Sequence, residues 1–453
     1  MIALSLAAGS LRSRWAGFAA TAITVFLGAV VLTAFASLID TAADAGVSGA
    51  DRTALLTVAG AAGGWSLVIV VFGVASTMAL SLRQRHREIA LLTAVGAVPG
   101  QIARMLVFEA AALALVASIA AIGPAVPVGT AVLAALRGAD QVSAGTEHTI
   151  GPVALVAGPA VTVLAAVAAA AVTALRAGRI SAVDALDRAE TDGARIGAAR
   201  RWAGIGLLVV GLSCAATVAA LPADTGFLAV SLAGQASIAA AIGAALLSPP
   251  ILRATAGALA RPATAIFGAA GELATSHVRG RTDQTAAVTM PVLICTALAT
   301  VSLYTLKIQD LAAAADGLAI DPDDEGVQAL TLIIVGLIAA FAAIVVVDNV
   351  VAAMIGRRTE FTLTRRIGAT RGQLVTATMA ESVLAVAVGL VLGGAAATVG
   401  IVGFAYGRTG SVIVEPGPGA ALIVGGAVTA LALTATALAA TRATAADLGA
   451  ARG

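Results

Sequence analysis

The sequence predicts an all-α polytopic membrane protein of about ten transmembrane helices, two parallel four-helix repeats joined by a central two-helix insert. Three observations carry this prediction. Of 453 residues, 59% are hydrophobic and 11% charged, with a mean hydropathy of +0.99, against about 45–50% apolar and about 25% charged in a soluble domain. Ten runs are apolar and long enough to cross a bilayer. A block of residues also recurs in the second half at one constant offset. The composition excludes a soluble globular enzyme, so the bilayer is the chain's solvent. Net charge is only +2 and the basic residues lie between apolar runs rather than on one face, which excludes nucleic acid as a natural partner.

The runs fall at 16–39, 59–82, 105–136, 152–175, 203–221, 227–252, 285–306, 328–354, 376–407 and 419–441. Several are longer than one crossing needs, so they tilt or extend beyond the hydrocarbon. The first follows Arg12 and Arg14 and contains Ala34-Phe35-Ala36, as a cleavable signal would. Its apolar stretch is too long for a signal, and its entry recurs internally: Leu6-Ala7 with Arg12 and Arg14 reappears as Leu273-Ala274 with Arg279 and Arg281. It is therefore a retained helix. With both termini in the cytoplasm, Arg52, Arg137, Lys307 and Arg408 face outward and every other Lys or Arg faces inward, a strong positive-inside bias. The outer acids Asp321, Asp323, Asp324 and Glu325 read as a solvated turn.

One offset, without a gap, carries Arg85, Glu88, Leu91, Gly96, Ala97, Gly100, Gln101 and Glu109 onto Arg357, Glu360, Leu363, Gly368, Ala369, Gly372, Gln373 and Glu381. Four spans return a chain to its starting side, so two repeats of like orientation need an even number of spans between them, which the fifth and sixth supply. Three segments follow: 1–190 as the first repeat, 191–260 as the central pair, and 261–453 as the second repeat.

Catalytic chemistry is scarce. Lys307 is the only lysine and no G-x-x-x-x-G precedes it, so the chain has no phosphate-binding loop and any ATP must be hydrolysed by a partner. His86, His148 and His277 are far apart, and Cys214 and Cys295 lie inside apolar runs, which leaves neither zinc spacing nor a disulfide framework.

The informative segment is residues 85–97. Ile89, Leu92 and Val95 fall at helical spacing, Gly96 suits a left-handed C-cap, and Pro99 suits the start of a new helix. In the copy Phe361, Thr364 and Ile367 take the apolar face, Gly368 repeats the stop and Thr370 is the N-cap. A single helix of this kind fits a position on lipid headgroups. Two equivalent copies, each held between two spans, suit docking to a pair of soluble subunits.

Here the chain resembles the FtsX-like permease family, the membrane subunits of ABC systems such as MacB, lipoprotein-releasing LolCDE and Bce-type peptide-resistance transporters. R-x-x-E-I-x-L-L-x-A-x-G-A at 85–97, its weaker copy at 357–369, Glu109 and Glu381, and the tail Arg179-Ile180-Ser181-Ala182-Val183-Asp184-Ala185-Leu186 carry the resemblance. It implies a non-catalytic permease of a bacterial cytoplasmic membrane, with ATP and Mg bound by two copies of a cytoplasmic ABC ATPase. It also implies coupling helices in the ATPase grooves, formed by Arg85, Glu88, Ile89, Leu92, Val95 and Gly96, and by Arg357, Glu360, Phe361, Arg365 and Gly368. Thr93 stands where the family has an arginine, whereas Arg365 keeps it, which makes the two docking sites unequal. Many relatives have a large outer domain; here the outer loops 40–58 and 307–327 are short.

Glu109 and Glu381 sit at the inner entrances of long spans, where they cap, pair with an arginine such as Arg104, or take part in transmission. Asp348, near the inner end of the eighth span, either snorkels or pairs with an arginine. Gly389 and Gly393 form a G-x-x-x-G, a spacing that 49 glycines also produce by chance. The function expected is export or extraction of a hydrophobic or amphipathic compound, lipid or peptide. The alternatives are an FtsX-type regulator acting on an outer partner and an ion-coupled secondary transporter, which needs ionisable groups at mid-membrane.

Overall fold

Lipid offers backbone amides no hydrogen-bond partner, so apolar spans close their own bonds as helices. The computed structural model describes residues 15–84, 91, 95–178, 197–222, 226–280, 282–315, 336, 339–340, 343–351, 353–354, 357–411 and 417–445, and among them there is no strand. The helices are α1 (Trp15–Ala43), α2 (Gly49–Gln84), α3 (Pro99–Gly138), α4 (Pro152–Gly178), α5 (Ala198–Ala220), α6 (Gly226–Phe267), α7 (Ala269–Gly280), α8 (Thr282–Ala315), α9 (Arg358–Arg366), α10 (Arg371–Thr409) and α11 (Gly419–Ala445). Among the described residues, nine helices are long and apolar enough to cross a membrane, so this is an all-α polytopic membrane protein. The expected eighth span lies largely outside the described residues; its described part at 343–351 is helical.

The helices group into two compact units, one of α1–α4 and one of α5–α11. In the first, α1 packs against α2, α3 and α4. Ala29 and Val30 of α1 meet Ala121 and Ala125 of α3, all buried. In the second, α8 and α10 form the most extensive contact, α5 pairs with α6, and α6 also lies against α7, α8 and α10. The central pair α5–α6 thus packs with the helices of the second half.

Small residues let the spans approach closely. The glycine pair given little weight in the sequence lies on the α8–α10 seam. A methyl carbon at Gly389 would come within 2.6 Å of Val292 Cγ1, and one at Gly393 within 2.6 Å of the Leu293 carbonyl oxygen. Buried hydroxyls donate to carbonyls of their own helix, as Thr41 does to Ser37 at 2.8 Å, or across to a neighbour: Thr289 lies 3.1 Å from the Thr285 carbonyl and 3.2 Å from the Ala385 carbonyl of α10, and Ser237 of α6 donates to the Ala397 carbonyl of α10 at 3.3 Å.

The outer loop expected over 40–58 is mostly helix, because α1 runs to Ala43 and α2 starts at Gly49. Ser48 accepts from the Asp51 amide at 3.1 Å, capping α2, and Arg52 Nε donates to the Ala42 carbonyl at 2.8 Å, closing the C-terminus of α1. The segment joining α3 to α4 folds onto this end. Asp40 accepts from the Val153 and Ala154 amides at 3.1 and 2.7 Å, placing a carboxylate on the N-terminus of α4. Asp51 accepts from Ser143 Oγ at 2.5 Å, and Arg137 donates to the Thr146 carbonyl. His148 Nε2 lies 2.8 Å from Ser37 Oγ. Ser37 spends its own proton on the Ala34 carbonyl, so His148 is the donor. Burial and the Arg137 cation hold the His148 pKa below its ordinary value of 6.5.

Gly389→Leu and Gly393→Leu should each destabilise the protein by about 1–3 kcal/mol through overpacking, whereas Gly394→Leu, which meets nothing within 4 Å, should be neutral; thermal unfolding in detergent separates the three. A second measurement concerns pH. Because folding depresses the His148 pKa, the stability it protects is present above the unfolded value near 6.5 and is lost as pH falls through that value. Melting temperature between pH 7.5 and 5 should fall more steeply in the wild type than in His148→Gln.

Candidate functional site

In the second unit the chain turns sharply between α9 and α10. The α9 sequence is mostly polar, and its end is a Schellman cap: Gly368 takes φ +109°, its amide bonds the Arg365 carbonyl at 3.0 Å, and the Ala369 amide bonds the Thr364 carbonyl at 3.2 Å. Thr370 then caps α10, accepting from the Gln373 amide at 3.2 Å while Gln373 Oε1 accepts from the Thr370 amide at 2.9 Å. The first half repeats the device. Gly96 takes φ +97°, and α3 starts at Pro99. Gln101 Oε1 accepts from the Val98 amide at 3.2 Å, and since valine has no acceptor, only that half of the capping box exists there.

What these turns expose is the same in both halves. Leu91 and Val95 stand out, Val95 at 89% exposure, with the Val95 amide bonded to the Leu91 carbonyl at 3.0 Å. Leu363 and Ile367 occupy the superposed positions, Ile367 at 88% exposure. Of the apolar face expected in the second copy, Ile367 is exposed, Thr364 is half-buried and Phe361 points inward at 2% exposure, against Met354 and Leu374. Arg85, Glu88, Ile89 and Leu92 lie outside the described residues. The backbone of Glu360 is in α9, and Arg365 is half-buried near its end.

Arg357 is buried where α9 begins. Its Nη1 donates to Glu381 Oε2 of α10 at 2.7 Å, its Nη2 to His277 Nδ1 of α7 at 3.1 Å, and its Cζ lies 5.4 Å from the centre of the Phe361 ring. Glu381 therefore pairs with an arginine, and that arginine is the one at the head of the copied motif. Glu109, at the position superposed on Glu381, is buried as well. Asp348 is buried in the helical stretch 343–351 beside Asn349, whose Nδ2 donates to the Val345 carbonyl at 2.8 Å. Among the described residues, no group of three or more His, Cys, Asp or Glu is placed to hold a metal ion.

Residues 60–182 and 332–448 match the family model of the FtsX-like permease C-terminal domain. The chain belongs to the FtsX-like permease family. Both matches include a glycine-capped segment, and they begin at 60 and 332, the offset that carries Arg85 onto Arg357. Membership makes the protein a transmembrane permease of the ABC type, a class that works with an ABC ATPase. No curated protein matches the chain.

Val95 and Ile367 were expected on the apolar face and are exposed; the structure adds Leu91 and Leu363, one turn earlier, as their exposed partners. His277 had no signal, since nothing in its spacing points to Arg357.

Arg357→Met and Glu381→Met should each cost about 3–5 kcal/mol by leaving a buried charge without its counter-ion. The double variant should recover a large part of that loss, and a double-mutant cycle on thermal unfolding checks the coupling.

Proposed function

We propose that this FtsX-like permease is the non-catalytic membrane subunit of an ABC exporter in a bacterial cytoplasmic membrane, with both termini in the cytoplasm. One chain, carrying both repeats, seats two copies of a cytoplasmic ATPase, which bind ATP and Mg. The observation that carries this reading is the exposed apolar pair, Leu91 with Val95 and Leu363 with Ile367, presented at equivalent positions just before a left-handed glycine. Apolar side chains this exposed beside the membrane fit a groove in a soluble partner. Glu88 and Glu360 flank the pairs as polar contacts of the same interface.

Closure of the two ATPases on ATP would displace both coupling segments, and the capped turns would pass that displacement into α3 and α10. The substrate class is a hydrophobic or amphipathic compound, lipid or peptide that enters from the bilayer. Support comes from a cavity of about 330 Å³ in the second unit, between α6, α7 and α10, with apolar walls that include Leu259, Phe267, Met379 and Leu384. The α1–α2 turn of residues 44–48 offers little surface to an outer partner, which disfavours a regulatory role.

Co-purification with the ATPase encoded beside it, followed by native mass spectrometry, tests the proposal. One permease with two ATPases is expected. Leu91→Asp with Val95→Asp, or Leu363→Asp with Ile367→Asp, should each weaken ATPase retention without lowering membrane expression, because these side chains are exposed. Glu88→Arg and Glu360→Arg should act in the same direction. A 2:2 assembly, or full ATPase retention by both aspartate variants, would overturn the proposal.

A further inference from the structure

We infer that His277 is a positioning residue that links the second coupling segment to α7 and the root of α8, at a position where the first repeat carries a serine. The inference rests on α9 being a coupling helix.

The guanidinium of Arg357 joins three elements. It sits at the start of α9, donates to Glu381 on α10 at 2.7 Å, and donates to His277 on α7 at 3.1 Å. A guanidinium has only donors, so His277 Nδ1 must accept through its lone pair, which makes the ring neutral with its proton on Nε2. His277 Nδ1 lies 3.9 Å from Glu381 Oε2, beyond hydrogen-bond reach. Within this cluster, the hydrogen bond that reaches α7 therefore comes from Arg357.

The far end of α9 is joined to α10 by the short capped turn at Gly368 and Thr370. At its near end the ion pair ties Arg357 to Glu381 of α10. The bond to His277 extends this cluster to α7. On α7, Val278 is fully buried among Leu252, Ala256, Ala286, Leu384 and Val388, so the helix is wedged at the junction of α6, α8 and α10. It ends at Gly280, and α8 begins at Thr282. A push on α9 thus reaches α7 and the root of α8 through a side-chain hydrogen bond, in addition to the packing of α10 on both helices.

The two halves differ at this point. Arg85 and Glu109 superpose on Arg357 and Glu381, so both repeats carry the acid and the arginine. Aligning Leu6-Ala7, Arg12 and Arg14 with Leu273-Ala274, Arg279 and Arg281 places Ser10 opposite His277. A serine side chain is much shorter than an imidazole and lacks its reach. The aligned position thus carries an imidazole in the second repeat and a hydroxyl in the first.

The test uses the permease–ATPase complex in lipid vesicles, lacking Cys214 and Cys295 and carrying Leu311→Cys on the exposed outer part of α8. Two quantities are read: ATPase copies retained per permease, and the change in the labelling rate of that cysteine by an impermeant maleimide on adding Mg-ATP. His277→Leu should retain the ATPase but reduce the nucleotide-dependent labelling change by about fivefold or more. His277→Asn, whose amide oxygen can accept from Arg357, should restore it. Three results would overturn the inference: a wild-type response in His277→Leu, an equal loss in His277→Asn, or loss of bound ATPase in His277→Leu. Failure of the parent complex to retain any ATPase would instead overturn the docking proposal on which the inference rests, and is seen before any histidine variant is made.

Discussion

No partner for a backbone N–H or C=O exists in the hydrocarbon of a bilayer, and the rest of this structure follows from that constraint. Each span must close its own hydrogen bonds, so the described spans are all helical, and buried threonines and serines donate to carbonyls of the same helix, as Thr41 and Ser66 do, or of a packed neighbour, as Ser237 does. Lipid also removes the hydrophobic drive for helices to associate, leaving close packing to hold them together. Gly389 and Gly393 let α10 approach the backbone of α8. In the first unit Ala121 and Ala125 play the matching part against Ala29 and Val30. The seam between the first and third helices of each repeat is therefore built from small residues in both halves.

Charge is handled within each unit by a local network. In the first unit, Asp40 neutralises the N-terminus of α4 and Asp51 gathers Ser143, so carboxylates help hold the α3–α4 segment beside its buried Val142. In the second unit, Arg357, Glu381 and His277 form a buried cluster. Burying an ion pair costs desolvation that only good geometry offsets. The bond of 2.7 Å to Glu381 and the contact with His277 supply that geometry. The cluster specifies how α9 sits on α10, which apolar contact alone would leave loosely defined.

This arrangement separates two jobs that the motif carries together. The head of the motif, Arg357, and the aromatic one turn later, Phe361, face the protein's own helices. Its tail, Leu363 and Ile367, faces away. In a permease that takes its energy from a partner, the first set would hold the lever and the second would receive the push. The exposed pair recurs in the first half as Leu91 and Val95, and in sequence Ser10 stands opposite His277.

Much of this was written in the chain itself. Composition and run length specified an all-helical membrane protein because lipid tolerates little else. Gly96, Gly368, Thr370 and Pro99 marked the turns because each residue type has a backbone or capping role that does not depend on distant partners. The tertiary structure alone decided what depends on contacts between residues far apart in sequence. It put Gly389 and Gly393 on a seam, turned Phe361 inward and Leu363 outward, and brought His277 to Arg357 across α7 and α9. The physical reason is the same in each case. Helical periodicity says which residues share a face, but only the neighbouring helix determines which face is buried.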